Sequence, residues 1–177
     1  YWLSQNRQDR HMWPGLFTSR VGAASKAFPP EEIVKQIGVT RSRPKATGHV
    51  HFSMAALMEN RKGIADQLTA SHYAGAALVP ATPWLRAEPA TLPVLSARRV
   101  AAGVTLKFGA GKGNAQYAIW SRHGGQWRFS VAPGTHTEWT APADADAFVV
   151  SAVDRLGNES ARVSLDGVAD AVATAAR

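Results

Sequence analysis

The sequence predicts two folds in series, an α/β unit followed by an all-β sandwich. Three observations carry this. Helix and strand signals alternate as far as residue 80. Prolines then crowd at Pro80, Pro83, Pro89 and Pro93. Beyond them come seven short strand-like stretches separated by turn residues. Alternation of helix and strand implies parallel strands with crossover helices. Regularly spaced short strands within about a hundred residues imply a sandwich.

Composition limits what such a chain can be. Its 177 residues hold 20 Lys+Arg and 13 Asp+Glu, a net charge of +7, with 45% hydrophobic and 19% charged residues. That is a globular mixture, unlike the apolar-poor composition of disordered chains. No uncharged apolar run approaches the roughly 20 residues of a membrane span. With no cysteine, a disulfide scaffold, a thiol nucleophile and a Cys-ligated zinc site are excluded. Of the net charge, +5 falls within residues 1–88 and +2 within 89–177. The basic residues, among them Arg7, Arg41, Lys45 and Arg61, are scattered through several segments. Nucleic-acid binding needs them gathered with aromatics on one element, so no nucleic-acid partner is expected.

The first unit reads in order. Tyr1 to Arg10 lacks Gly and Pro and suits the end of a helix. Pro14 to Val21 is short and partly apolar, as a buried strand would be. Pro29-Pro30-Glu31-Glu32 starts a helix, with proline in its first turn and acids opposing the positive end of the dipole. Ile33, Val34 and Ile37 give that helix an apolar stripe. His49 to Met54 alternates at period two, and a last helix runs from about Asn60 to Ala70. Two short parallel strands make a poor sheet, because parallel sheets are normally covered on both faces within larger domains. Residues 1–80 therefore read as the last portion of a larger α/β domain. The alternatives are a small complete unit or one completed by a partner chain. The chain opens on Tyr1-Trp2-Leu3, without an initiator Met or a signal peptide, which agrees with a piece of something longer.

Residues 81–91 form a proline-rich linker. Strands follow at 92–100, 104–108, 116–121, 127–131, 137–139, 148–153 and 161–165, making a sandwich over 92–166. Residues 167–177 are an Ala-rich tail.

Two resemblances refine the reading. Val149 to Ser160, a strand running into Asp154-Arg155-Leu156-Gly157-Asn158-Glu159-Ser160, resembles the last hairpin of a fibronectin type III-like module. Three ordered blocks, Arg10-His11-Met12-Trp13-Pro14-Gly15-Leu16, Glu31 to Ile37 and Gly48 to Ser53, resemble the end of the catalytic domain of glycosyl-hydrolase-like family 10. The resemblance implies the last strand-helix units of a (β/α)8 TIM barrel, with Trp13–Val21 as its seventh strand and His49–Met54 as its eighth. It also implies a bacterial lipoprotein or secreted protein, periplasmic or outer-membrane-anchored, whose partner is a polysaccharide or oligosaccharide.

Glycoside hydrolysis needs two carboxylates about 5–9.5 Å apart, set in a barrel at the C-terminal ends of strands. Neither strand here ends in Asp or Glu. Glu31 and Glu32 read as helix-start acids, Asp9 lies before its strand, and Glu59 as a solvated helix start. No catalytic residue is therefore assigned, and the catalytic acids are expected upstream, as is the barrel portion that completes this one. What the chain would supply is wall. His49, His51 and Ser53 share one face by alternation, and Val50, Phe52 and Met54 share the other. The apolar face is expected to pack on the outer helices, turning His51 and Ser53 toward a sugar. Ser19 and Arg20 end the other strand and complete the substrate-binding set. His49 reads as a buried histidine paired with a polar neighbour, and Trp13 as core. No metal or other cofactor is called for, since His49-x-His51 lacks a visible third ligand.

Gly109 to Asn114 resembles a phosphate loop, but Lys112 is not followed by Ser or Thr, and its flanks are strands. No Gly-x-Ser-x-Gly elbow supports a hydrolytic triad. Trp120, Trp127 and Trp139 are expected mainly in the sandwich core, with a sugar-stacking surface as the alternative. The functional expectation is the C-terminal part of a glycoside hydrolase, inactive without its upstream acids. The alternative is a non-catalytic carbohydrate- or protein-binding module of a cell-surface protein.

Overall fold

The computed structural model describes residues 1–85, 90, 95–108, 111 and 113–167. The chain divides into two compact units, Tyr1–Gly75 and Ala76–Arg177.

In the first unit, helix α1 spans only Trp2–Gln5. Its expected extension to Arg10 fails for a local reason. Asn6 Nδ2 donates to the Arg10 carbonyl at 2.6 Å, and Asn6 Oδ1 accepts from the Arg10 amide at 3.0 Å, closing a loop that competes with helix. Strand β1 is short, Gly15–Leu16, and passes directly into a 3₁₀ turn at Thr18–Arg20. Helix α2, Pro30–Arg41, begins where the proline pair and its acids place it. Strand β2, Val50–His51, pairs parallel with β1, Gly15 opposite Val50 and Leu16 opposite His51. A short helix α3, Ala55–Met58, follows.

Helix α4 spans Ile64–Ala70. It starts later than the sequence suggests because Asn60, Lys62 and Gly63 take positive φ. Asn60 Oδ1 accepts the Ala65 amide at 2.9 Å, taking up one of the free donors of the helix start. Leu16, Val21, Ile33, Ile37, Ile64 and Leu68 form the core of this unit.

Leu16 and His51 are register partners on adjacent strands, so they point to the same side, and Leu16 lies in the core shared with α2 and α4. The histidine face of β2 is therefore turned to the helices. Val50, Phe52 and Met54 are 50%, 64% and 58% exposed. This reverses the expected orientation. Alternation shows which residues share a face, but not which face the helices cover.

Among its described residues the second unit is a sandwich of seven antiparallel strands. One sheet has the order β3-β4-β7, with β3 Leu95–Val100, β4 Gly103–Phe108 and β7 Glu138–Ala141. The other has the order β6-β5-β8-β9, with β5 Gln116–His123, β6 Gln126–Pro133, β8 Ala145–Val153 and β9 Val163–Asp166. Each expected strand has a counterpart, although residues 92–94 of the first lie outside the described residues. Leu106, Tyr117, Ile119, Phe148 and Val150 are fully buried between the sheets, and Phe108 stacks on Tyr117 at 4.4 Å.

The stretch expected as a linker is partly anchored. Thr82 donates to the Leu156 carbonyl twice, from its amide and from Oγ1, both at 2.9 Å. Gly157, at φ +79°, lies so close to Val79 that a Cβ there would stand 2.7 Å from the Val79 carbonyl oxygen. Pro89, Pro93 and most of the Ala-rich tail lie outside the described residues. No helix among the described residues is long and apolar enough to cross a membrane.

Candidate functional site

The four residues assigned to substrate binding all lie where β1 and β2 end. The Ser19 amide donates to the Phe52 carbonyl at 2.9 Å, which continues the pairing past the strands. Ser19 Oγ then accepts the Ser53 amide at 2.8 Å and donates to Ser53 Oγ at 3.3 Å. The two hydroxyls thus form one partly buried polar spot bridging the strand ends. Arg20 turns aside. Its Nη1 donates to the Ser25 and Lys26 carbonyls at 3.3 and 3.4 Å, and its guanidinium lies 5.1 Å from the Phe17 ring centre. It braces its own loop.

His51 points to the helix side. Its Nδ1 lies 2.7 Å from Thr18 Oγ1 and its Nε2 2.6 Å from the Tyr73 hydroxyl. His49 Nε2 meets the same hydroxyl. Burial holds both imidazoles below their ordinary pKa, and for His49 the neighbouring His51, Arg41 and His72 add to it. The network centred on Tyr73 escapes sequence reasoning, because Tyr73 follows a helix and only the fold brings it to β2. The His-x-His spacing was the one available signal.

The carboxylates of residues 1–75 are engaged elsewhere. Asp9 pairs with Lys45 at 2.6 Å and Glu59 with Arg61 at 2.6 Å. Glu31 accepts from Gln67, Glu32 from Gln36 and Asp66 from Asn60. None of these bonds reaches Ser19 or Ser53. Among the described residues, no group of three or more His, Asp or Glu is placed to hold a metal.

Trp13 is not core. It is 46% exposed, stacks on His11 at 5.2 Å and donates from Nε1 to Thr47 Oγ1 at 2.9 Å. Of the three sandwich tryptophans, Trp139 packs against the core. Trp120 and Trp127 stand with Phe129 and arginines on the other face of the four-stranded sheet. Trp120 lies 5.0 Å from Phe129, Arg162 lies 4.4 Å over Trp120, and Arg122 lies 5.7 Å from Trp127.

A second arrangement has the connectivity of a hydrolytic triad. Ser121 Oγ lies 2.8 Å from His123 Nε2, and His123 Nδ1 lies 2.9 Å from Asp144 Oδ1. Such constellations are recognised by geometry and roles, whatever their order in the chain. Here access is reversed. Ser121 is 2% exposed, whereas the Asp144 side chain is 61% exposed. A nucleophile sealed in a sandwich reaches no substrate, so the chain of bonds ties the end of β5 to the turn before β8.

With this geometry in view, the chain is similar over 146 residues, at 33% identity, to the Glycosyl hydrolase YngK of Bacillus subtilis (strain 168). The match takes in 74% of this chain and 29% of that protein, so the chain spans less than a third of its relative's length. No protein-family model matches. Among solved structures, an FN3tt mutant is similar at a TM-score of 0.35 and 18% identity, and FN3tt itself at 0.31 and 17%. Each comparison covers 44% of this chain and 97% of the other.

Proposed function

We propose that this chain is the C-terminal part of a bacterial glycoside hydrolase, made of the last strand-helix units of a TIM barrel and a fibronectin type III-like sandwich. The 33% identity to a glycosyl hydrolase, running over 146 residues, is the observation that carries this reading. The parallel pairing of β1 with β2, flanked by helices, agrees with it. The whole protein would act on a cell-surface or extracellular polysaccharide from the periplasm, the outer membrane or outside the cell. Its acid/base carboxylates would lie upstream, consistent with the carboxylates of residues 1–75 being engaged in surface pairs. Within this reading Ser19 and Ser53 offer hydroxyls to a sugar at the barrel mouth, and Arg20 and His51 hold the surrounding backbone and strand end.

The test compares the natural full-length protein with residues 1–177 on a panel of exopolysaccharide and cell-wall oligosaccharides. Release of new reducing ends by the whole protein, and none by residues 1–177, is expected. Turnover by residues 1–177 would sink the proposal.

A second reading rests on Trp127, which is 47% exposed beside Arg122 on the outer sheet face. Such a face suits a non-catalytic carbohydrate-binding module, since aromatic rings stack on sugars. In that case tryptophan fluorescence of residues 1–177 shifts on titration with oligosaccharide, and Trp127→Ala abolishes the shift.

A further inference from the structure

Two histidines share one tyrosine hydroxyl in the unit of residues 1–75. Tyr73 lies three residues past α4, and its hydroxyl meets His49 Nε2 and His51 Nε2. At the far end of this group, Thr18 Oγ1 contacts His51 Nδ1 at 2.7 Å and the Leu16 carbonyl at 3.3 Å. At the near end, His49 Nδ1 is buried with no hydrogen-bond partner among the described residues.

A phenol has one proton to give. Tyr73 can donate to only one imidazole, and when that proton is used in the group it accepts from the other, so the group forms a chain that runs one way. Its ends decide the direction. In one direction Thr18 donates to the Leu16 carbonyl, and His51 donates from Nδ1 to Thr18. Tyr73 then donates to His51 Nε2, and His49 donates from Nε2 to Tyr73. Only a bare lone pair on His49 Nδ1 is left over. In the reverse direction His49 Nδ1–H becomes a buried donor without an acceptor, and the Leu16 carbonyl loses Thr18. A buried unmet N–H is the rarer and costlier outcome.

We propose that Thr18, His51, Tyr73 and His49 form a directional, pH-sensitive latch that holds the segment after α4 against β2 only while both imidazoles are neutral. A proton on His51 Nε2 faces the Tyr73 oxygen and leaves the tyrosine's own proton without an acceptor. A proton on His49 goes to Nδ1, where nothing accepts it. The charged and titratable groups acting on His49 are His51 beside it on β2, Arg41 of α2 and His72 after α4; Arg41 also acts on Tyr73. None of these is an anion, and burial alone acts on His51, so among the described residues no carboxylate is set against either imidazolium. Arg41 itself is held by the segment, donating to the His72 carbonyl at 2.9 Å, and His72 Nε2 lies 3.0 Å from the Val34 carbonyl of α2.

Burial depresses both imidazoles, so the sign is fixed. The latch is intact above the ordinary histidine value of 6.5, and its contribution is lost as pH falls from there through the lower folded values.

Long-range proton–nitrogen NMR of the full chain at neutral pH identifies each tautomer. His51 as the Nδ1–H form and His49 as the Nε2–H form are expected, with the Tyr73 ring resonances moving in step with His51 on acidification. In Tyr73→Phe the His51 titration shifts upward, because the donor that favoured its neutral form is gone, while that of His49 does not rise. Both histidines in the Nε2–H form, Tyr73 signals indifferent to His51, or an unmoved His51 in Tyr73→Phe would each overturn the latch. If Tyr73→Phe fails to fold, the tautomers of the unsubstituted chain decide.

Discussion

Asp154 organises the turn after β8. Its carboxylate accepts the Leu156 amide at 2.7 Å, the Asn158 amide at 2.9 Å and Asn158 Nδ2 at 2.9 Å. Burial pushes this carboxyl up, but the donors from Asn158 and Leu156, helped by the Arg155 charge, outweigh it and hold the pKa below the ordinary value. A depressed carboxylate stabilises the fold above its unfolded pKa, and the contribution is lost as pH falls through the folded value. Asp154→Ala is expected to cost about 1.5–3 kcal/mol, the range for hydrogen bonds to a charged group, and to flatten the acid limb of a pH–Tm curve. Gly103, at φ +141°, is equally constrained, since a Cβ there would lie 2.0 Å from the Ala141 carbonyl oxygen. Gly103→Ala should lower Tm in calorimetry by an amount equivalent to about 1–3 kcal/mol. Asp154 was legible as part of a turn motif in the sequence. The demand on Gly103 was not, because it comes from β7, which lies far along the chain.

At the scale of elements, helix α2 was readable because its signals are local: a proline pair, two acids and an apolar stripe. The strands of the sandwich were readable for the same reason, each lying between turn residues. Ile37 of α2 is fully buried, and Ile37→Ala is expected to cost about 2–5 kcal/mol in denaturant unfolding of residues 1–75. The elements that failed are those set by longer-range contacts. Asn6 stops α1, and the direction in which β2 faces depends on where α2 and α4 pack. The same contrast runs through the candidate site. Ser19 and Ser53 meet at adjacent strand ends, as strand pairing demands, but His51 is claimed by Tyr73. Ser19→Ala removes the acceptor of the Ser53 amide and should destabilise the unit by about 1 kcal/mol, read as a fall in denaturant midpoint.

For the whole molecule, the sequence distinguished an α/β unit from a following sandwich, and the similarity to a glycosyl hydrolase spans 74% of the chain. The clamp of Thr82 on Leu156 has a mechanical consequence. A pull on the chain ahead of Val79 does not first reach β3. It arrives at the turn before β9, where two hydrogen bonds to a single carbonyl take the load. A load applied there is therefore borne first by the contact of Thr82 with Leu156, ahead of any strand of the sandwich. Thr82→Val, which keeps the amide bond and removes the hydroxyl one, should halve the number of bonds at that point and lower the force of the first yield in single-molecule pulling.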